Sequence, residues 1–128
     1  MERWWIQDGY GIEIWNDGSC YKGYYLNGKK NGKGLYKWSD GSSYEGDFKE
    51  NKINGKGKYI WENKKKYEGD WVNNKMWGNG IFIWPDGRKY EGMWKNGFQN
   101  GEGELYDPNL KQKRKGLWKH GKVVKWLE

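Results

Sequence analysis

A 23-residue repeat governs what this chain folds into. Tyr21, Tyr44, Tyr67 and Tyr90 open four successive units, and Gly23, Gly46, Gly69 and Gly92 follow two places on. An aromatic stands two further along, at Tyr25, Phe48, Trp71 and Trp94. Paired glycines come next: Gly32 and Gly34, Gly55 and Gly57, Gly78 and Gly80, Gly101 and Gly103. Trp38, Trp61 and Trp84 close the second half of the first three units. Full units therefore span 21–43, 44–66, 67–89 and 90–113, with partial units over 9–20 and 114–122, all in one domain. Self-similarity at this period marks an array of small supersecondary units, each stabilised by stacking on its neighbours.

Each half-unit reads as a strand. In Tyr67-Glu-Gly-Asp-Trp71, rings and glycine alternate with acids, the period-2 pattern of a half-buried strand. In Gly78–Trp84, positions Gly80, Phe82 and Trp84 share one face and Ile81 and Ile83 the other. Asp17-Gly18, Asp40-Gly41 and Asp86-Gly87 supply the positive φ of tight turns between units. The Asn-x-x-x-Asn/Trp-Gly segments are expected to make the turns within units. Glycine recurs too often for helix, and no 3.6-residue apolar stripe appears. The expected fold is all-β: an elongated, single-layer antiparallel meander of repeated β-hairpins.

Composition supports a thin sheet. Aromatics are 19% of the chain and include 11 Trp and 10 Tyr, while all hydrophobic residues reach only 34%. Rings carry large apolar areas, so they stabilise a layer too thin for an aliphatic core. Rings of one unit are expected to lie over the bare backbone of glycines in the next. The units depart from pattern in two places. Lys64, Lys65 and Lys66 replace an Asp-Gly turn, and Asp107-Pro108 stands where a Trp recurs, so 107–113 reads as a loop or bulge.

The pattern Y-E-G-x-W-x-x-G-x-x-x-G-x-G-x-x-x-W-x-D-G closely resembles the MORN repeat, over residues 9–122. The resemblance implies a curved sheet with an aromatic-lined groove, and scaffold or adaptor roles in cytoskeletal, ciliary and membrane-junction assemblies. It implies a groove that holds a helix or extended segment of a partner protein, and in some members a link to acidic phospholipid. Cell-wall-binding repeats share the Trp, Tyr and Gly richness but lack the paired G-x-G and Y-E-G.

No catalytic constellation is read in the chain, so an enzyme is not expected. His120 is the single histidine and Cys20 the single cysteine, which leaves no disulfide framework and no expected metal or cofactor. Glu45, Glu68 and Glu91 read as outward strand residues facing lysines of neighbouring strands. The net charge is +7 with only three arginines among 24 cations, unlike an arginine-rich base reader, so no nucleic acid is expected, nor a small-molecule substrate. The start, MERWWIQDGYG, holds no apolar run of signal-peptide length, and a cytoplasmic, cytoskeletal or ciliary place is expected. Candidate partner-binding rings are Tyr25, Trp38, Phe48, Trp61, Trp71, Phe82, Trp84 and Trp94. Candidate contacts to an anionic membrane surface are Lys64, Lys65, Lys66, Lys111, Lys113, Arg114 and Lys115.

Overall fold

The computed structural model describes residues 2–3 and 8–127; the remainder of the MERWWIQ start lies outside them. Among the described residues one antiparallel sheet holds twelve strands in strict chain order. They are β1 (Glu2–Arg3), β2 (Gly9–Ile14), β3 (Cys20–Leu26), β4 (Lys29–Lys37), β5 (Ser43–Lys49), β6 (Lys52–Ile60), β7 (Lys66–Val72), β8 (Lys75–Ile83), β9 (Lys89–Lys95), β10 (Phe98–Asp107), β11 (Gln112–Lys119) and β12 (Lys122–Trp126). This is the expected all-β meander, with one short and one longer strand per unit.

Two kinds of turn alternate at the two long edges. Between units, the Trp38 N–H donates to the Ser42 carbonyl at 2.9 Å and the Gly41 N–H to the Trp38 carbonyl at 3.1 Å. Asp40 Oδ1 accepts from the Ser42 N–H at 2.8 Å and its hydroxyl at 2.6 Å. The same wrap recurs at Trp15, Trp61 and Trp84. Lys64 takes the left-handed position that Gly18, Gly41 and Gly87 hold elsewhere, at φ 78, so the lysine run leaves the turn intact. Within units the turn is tighter than the sequence suggested. It is confined to Asn27-Gly28, Glu50-Asn51, Asn73-Asn74 and Asn96-Gly97, both residues of each at positive φ, as a two-residue hairpin turn requires. The remainder of each Asn-x-x-x-Asn/Trp-Gly segment is strand. Asn51 then ties its turn to the preceding unit, donating to the Lys30 carbonyl at 3.0 Å and accepting its N–H at 2.8 Å.

The expected 107–113 loop is shorter than read. β10 runs through Asp107, and β11 begins at Gln112. Asp107 Oδ1 accepts the Asn109 N–H at 2.9 Å, so this carboxylate organises the turn without the Asp-Gly pair. The last hairpin, β11–β12, extends the array to Trp126, past the expected end at 122.

The core lies on one face. Tyr21, Tyr44, Tyr67 and Tyr90 are wholly buried. Each lies over glycines of its own hairpin, not those of the next unit: a Cβ on Gly57 would strike the Tyr44 ring, and one on Gly34 the Tyr21 ring. The reason is the register, which pairs Tyr44 with Tyr59 and Gly46 with Gly57 inside one unit. Units are joined instead by ring edges and indole donors. Tyr44 meets Trp71 edge-on at 5.7 Å, and Tyr67 meets Trp94 at 5.2 Å. The Trp71 and Trp94 indoles donate to the Gly57 and Gly80 carbonyls, each at 3.1 Å.

Burial pushes the Tyr21 and Tyr90 phenols up to about 12, and raises those of Tyr44 and Tyr67 further. Their ordinary value is about 10. Folding therefore holds them neutral, and the stability this contributes is present below about pH 10 and lost as pH rises through the folded values. In an alkaline titration read by tyrosinate absorbance, these four rings should ionise together with loss of the near-ultraviolet dichroism. Ionisation of all tyrosines while that signal persists would contradict their burial.

Candidate functional site

The eight candidate rings separate into two rows. Tyr25, Phe48, Trp71, Phe82 and Trp94 are buried, at 4–7% exposure. They hold the core, and Phe82 also stands between Trp61 and Trp84 as a buried member of the second row. Trp38, Trp61 and Trp84 are half-buried, and they stand in a row with Trp15, Tyr36 and Tyr59. The row runs Trp15–Tyr36 (5.5 Å), Tyr36–Trp38 (4.5 Å), Trp38–Tyr59 (5.2 Å), Tyr59–Trp61 (4.5 Å), Trp61–Phe82 (5.5 Å) and Phe82–Trp84 (4.7 Å). Its rings are tilted against one another, so a relief of ring edges and faces results. Tyr36 and Tyr59 were missed as candidates although they occupy the repeat column of Phe82, the signal that would have found them.

The register explains the row. Strands β4, β6 and β8 carry the column 36, 59, 82 on the core face, and the Trp two places on follows it at the strand end. Unit four ends the row because Leu105 and Asp107 occupy these columns. Pro108 instead lies against Gly87.

Charge borders the rings. Lys65 Nζ stands 5.2 Å from the Trp61 centroid, and the Arg88 guanidinium 5.2 Å from that of Trp84. Lys30 Nζ lies 5.4 Å from both Trp15 and Tyr36. The turn carboxylates beside them are held below the usual range, Asp17 and Asp40 by the hydroxyls and N–H groups of Ser19 and Ser42, and Asp86 by the N–H and guanidinium of Arg88. At the N-terminal end the core is polar. Glu13 stands in the column of Tyr36 with 7% exposure and accepts the Tyr25 hydroxyl at 2.5 Å. No sequence signal had singled out that pair.

Each basic cluster is divided between a turn and a strand. Lys65 turns toward Trp61, while Lys66 opens β7 opposite Ile60 and Ile83. Lys64 and Lys111 sit in turns. Arg114 stacks 3.9 Å from the Trp126 centroid, whereas Lys113 and Lys115 stand at alternate positions, opposite Tyr106 and Glu104. On the other face, Lys58 stands opposite both Glu45 and Glu68, as expected, but Glu91 faces Ile81 and Glu104. The close ion pairs of that face use aspartates instead, Lys33–Asp47 at 2.5 Å and Lys56–Asp70 at 2.7 Å. Cys20 opens β3 opposite Ile14 and Lys37, and His120 lies in the β11–β12 turn.

The MORN repeat family model matches five stretches, residues 6–20, 21–43, 44–66, 67–87 and 90–110, and so covers most of the chain. No curated protein matches it. The ring and glycine register of the structure and the five matches agree: the chain belongs to the MORN repeat family.

Proposed function

We propose that the protein is a non-catalytic adaptor whose half-buried aromatic row takes an apolar helix or strand of a partner protein. MORN repeats serve generally in protein or membrane-lipid interaction. The observation that carries the protein-binding reading is that Trp15, Tyr36, Trp38, Tyr59, Trp61 and Trp84 are packed against the core yet only half-buried. Contiguous apolar surface of this kind marks interfaces, and Trp and Tyr dominate binding hot spots. The lipid alternative draws less support, because Lys64, Lys65 and Lys111 share the between-unit edge with Asp17, Asp40, Glu62, Asp86 and Asp107, and that edge is mixed in charge.

The test is a Trp61→Ala, Trp84→Ala double variant, with the fold checked by circular dichroism. Hot-spot tryptophans contribute about 2 kcal/mol each, so affinity for a co-purified partner should fall about 1000-fold. Undiminished binding by a folded double variant refutes the row as the site. The family resemblance supports placing the partner in a cytoskeletal or ciliary assembly. Retention of tagged protein on detergent-extracted cytoskeletons tests that placement, and complete extraction would count against it.

A further inference from the structure

All the within-unit turns lie along one long edge of the sheet, and lysines bracket them. Lys29, Lys52 and Lys75 open their strands there, Lys49 and Lys95 close theirs, and Lys119 and Lys122 flank the last turn; all are exposed. Asp8 and Glu50 are the acids of this edge. The opposite edge is mixed, with Asp17, Asp40, Glu62, Asp86 and Asp107 among Lys37, Lys64, Lys65, Lys66, Arg88, Lys89 and Lys111. The lysine row is invisible as a run in the sequence because its members come from every unit.

The row changes character in units three and four. Asn31 and Asn54 accept the N–H groups of Glu50 and Asn73 at 3.4 and 3.0 Å, joining successive turns. The same column holds Trp77, whose indole donates and cannot accept. A turn-linking acceptor is thus exchanged for a half-buried ring. Phe98, at 54% exposure, replaces the strand-opening lysine of the other units. Beside it a cleft of about 480 Å³ is lined by Lys95, Asn96, Phe98, Asn100, Lys119 and His120.

We infer that this edge binds an extended acidic segment of a partner protein, with one apolar side chain seated against Phe98 in that cleft. The edge is separate from the aromatic row, so the two surfaces stand or fall independently. Successive hairpins lie about 9.5 Å apart, two strand spacings, and an extended chain advances about 3.3 Å per residue. An acid at about every third residue therefore meets one turn after another. Adjacent strands rotate by about 20–25°, so the row winds about the sheet axis; a flexible chain follows it where a flat membrane meets only part of it.

The probe is a fluorescein-labelled peptide of about fifteen residues, glutamate at every third position, one central leucine, serine elsewhere; a second peptide has the same composition with its glutamates contiguous. Anisotropy is read at about 50 and 150 mM salt, where screening lengths differ. The spaced peptide should bind more tightly than the contiguous one. Lys52→Glu/Lys75→Glu/Lys95→Glu should weaken it by at least about tenfold. Phe98→Ala, at an exposed ring of the cleft, should weaken it at unchanged charge. Lys64→Glu/Lys111→Glu, on the opposite edge, should change little. No binding at low salt, equal binding of both peptides, or equal loss in the opposite-edge variant overturns the inference. So does sedimentation with phosphatidylserine vesicles without peptide binding.

Discussion

Gly57→Ala is expected to abolish cooperative folding, although alanine is the smallest change available there. The added Cβ would lie 2.5 Å from Tyr44 Cε1 and closer still to the phenol end of that ring. Tyr44 has nowhere to go. It is wholly buried, its hydroxyl donates to the Asp47 carbonyl at 3.0 Å, and Phe48 and Trp71 meet it edge-on at 5.2 and 5.7 Å. The backbone cannot retreat either, since Gly46 faces Gly57 across the strands with Cα against Cα. Expelling Tyr44 costs about 4–5 kcal/mol, equal to the whole stability of a domain at the lower end of the usual ~5–15 kcal/mol. Gly41→Ala provides the contrast. Gly41 adopts φ 95, and a methyl group added there would meet nothing within 4 Å, so strain alone applies, roughly 1–2 kcal/mol. Urea unfolding of both variants reads the difference, and equal losses would sink the ring-over-glycine packing.

That contrast shows which parts of the structure the sequence disclosed. The columns of Tyr, Gly and Trp were legible because each repeats at a fixed interval, and repetition identifies a shared environment without saying what that environment is. Gly41 and Gly57 both recur, yet one serves a turn and the other a close approach. Pairing register decided that Tyr44 covers its own unit's glycine, and register depends on the within-unit turn. The turn read too broadly in the sequence because its polar residues continue through Asn31, Asn54 and Asn100, while two successive positive φ values confine it to two residues. For the site, Trp38, Trp61 and Trp84 were identifiable, but their exposure relative to Trp71 and Trp94 was not. The two kinds of Trp share one face and differ only in distance from the turn, and burial there is set by the neighbouring unit. Runs of lysine misled for a related reason: Lys64 and Lys111 sit in turns, and in β11 consecutive residues point to opposite faces, so a cluster in sequence is dispersed in space.

Trp71→Ala should weaken the array at its centre by about 3–5 kcal/mol, the usual loss for deleting a buried aromatic. Trp71 is 5% exposed, and it touches Tyr44 and Tyr59 of the unit before and Tyr67 of its own. Its indole also donates to the Gly57 carbonyl at 3.1 Å. Phe48 occupies the equivalent place one unit earlier and meets Tyr21 at 5.2 Å without any such donor. Trp71→Phe should therefore keep the ring contact and lose mainly the hydrogen bond, about 1–2 kcal/mol. In a linear array each unit is stabilised by its neighbours, so position matters as much as chemistry. Trp118 is equally buried, at 6%, but joins Tyr90 to the last hairpin only. Trp118→Ala should release β11–β12 and leave the other units protected, whereas Trp71→Ala uncouples units two and three and lowers protection on both sides of the β6–β7 junction. Native-state hydrogen exchange across the strands distinguishes the two patterns. A uniform loss of protection in both variants would show that the sheet unfolds as one block and that its unit junctions are not where its stability is decided.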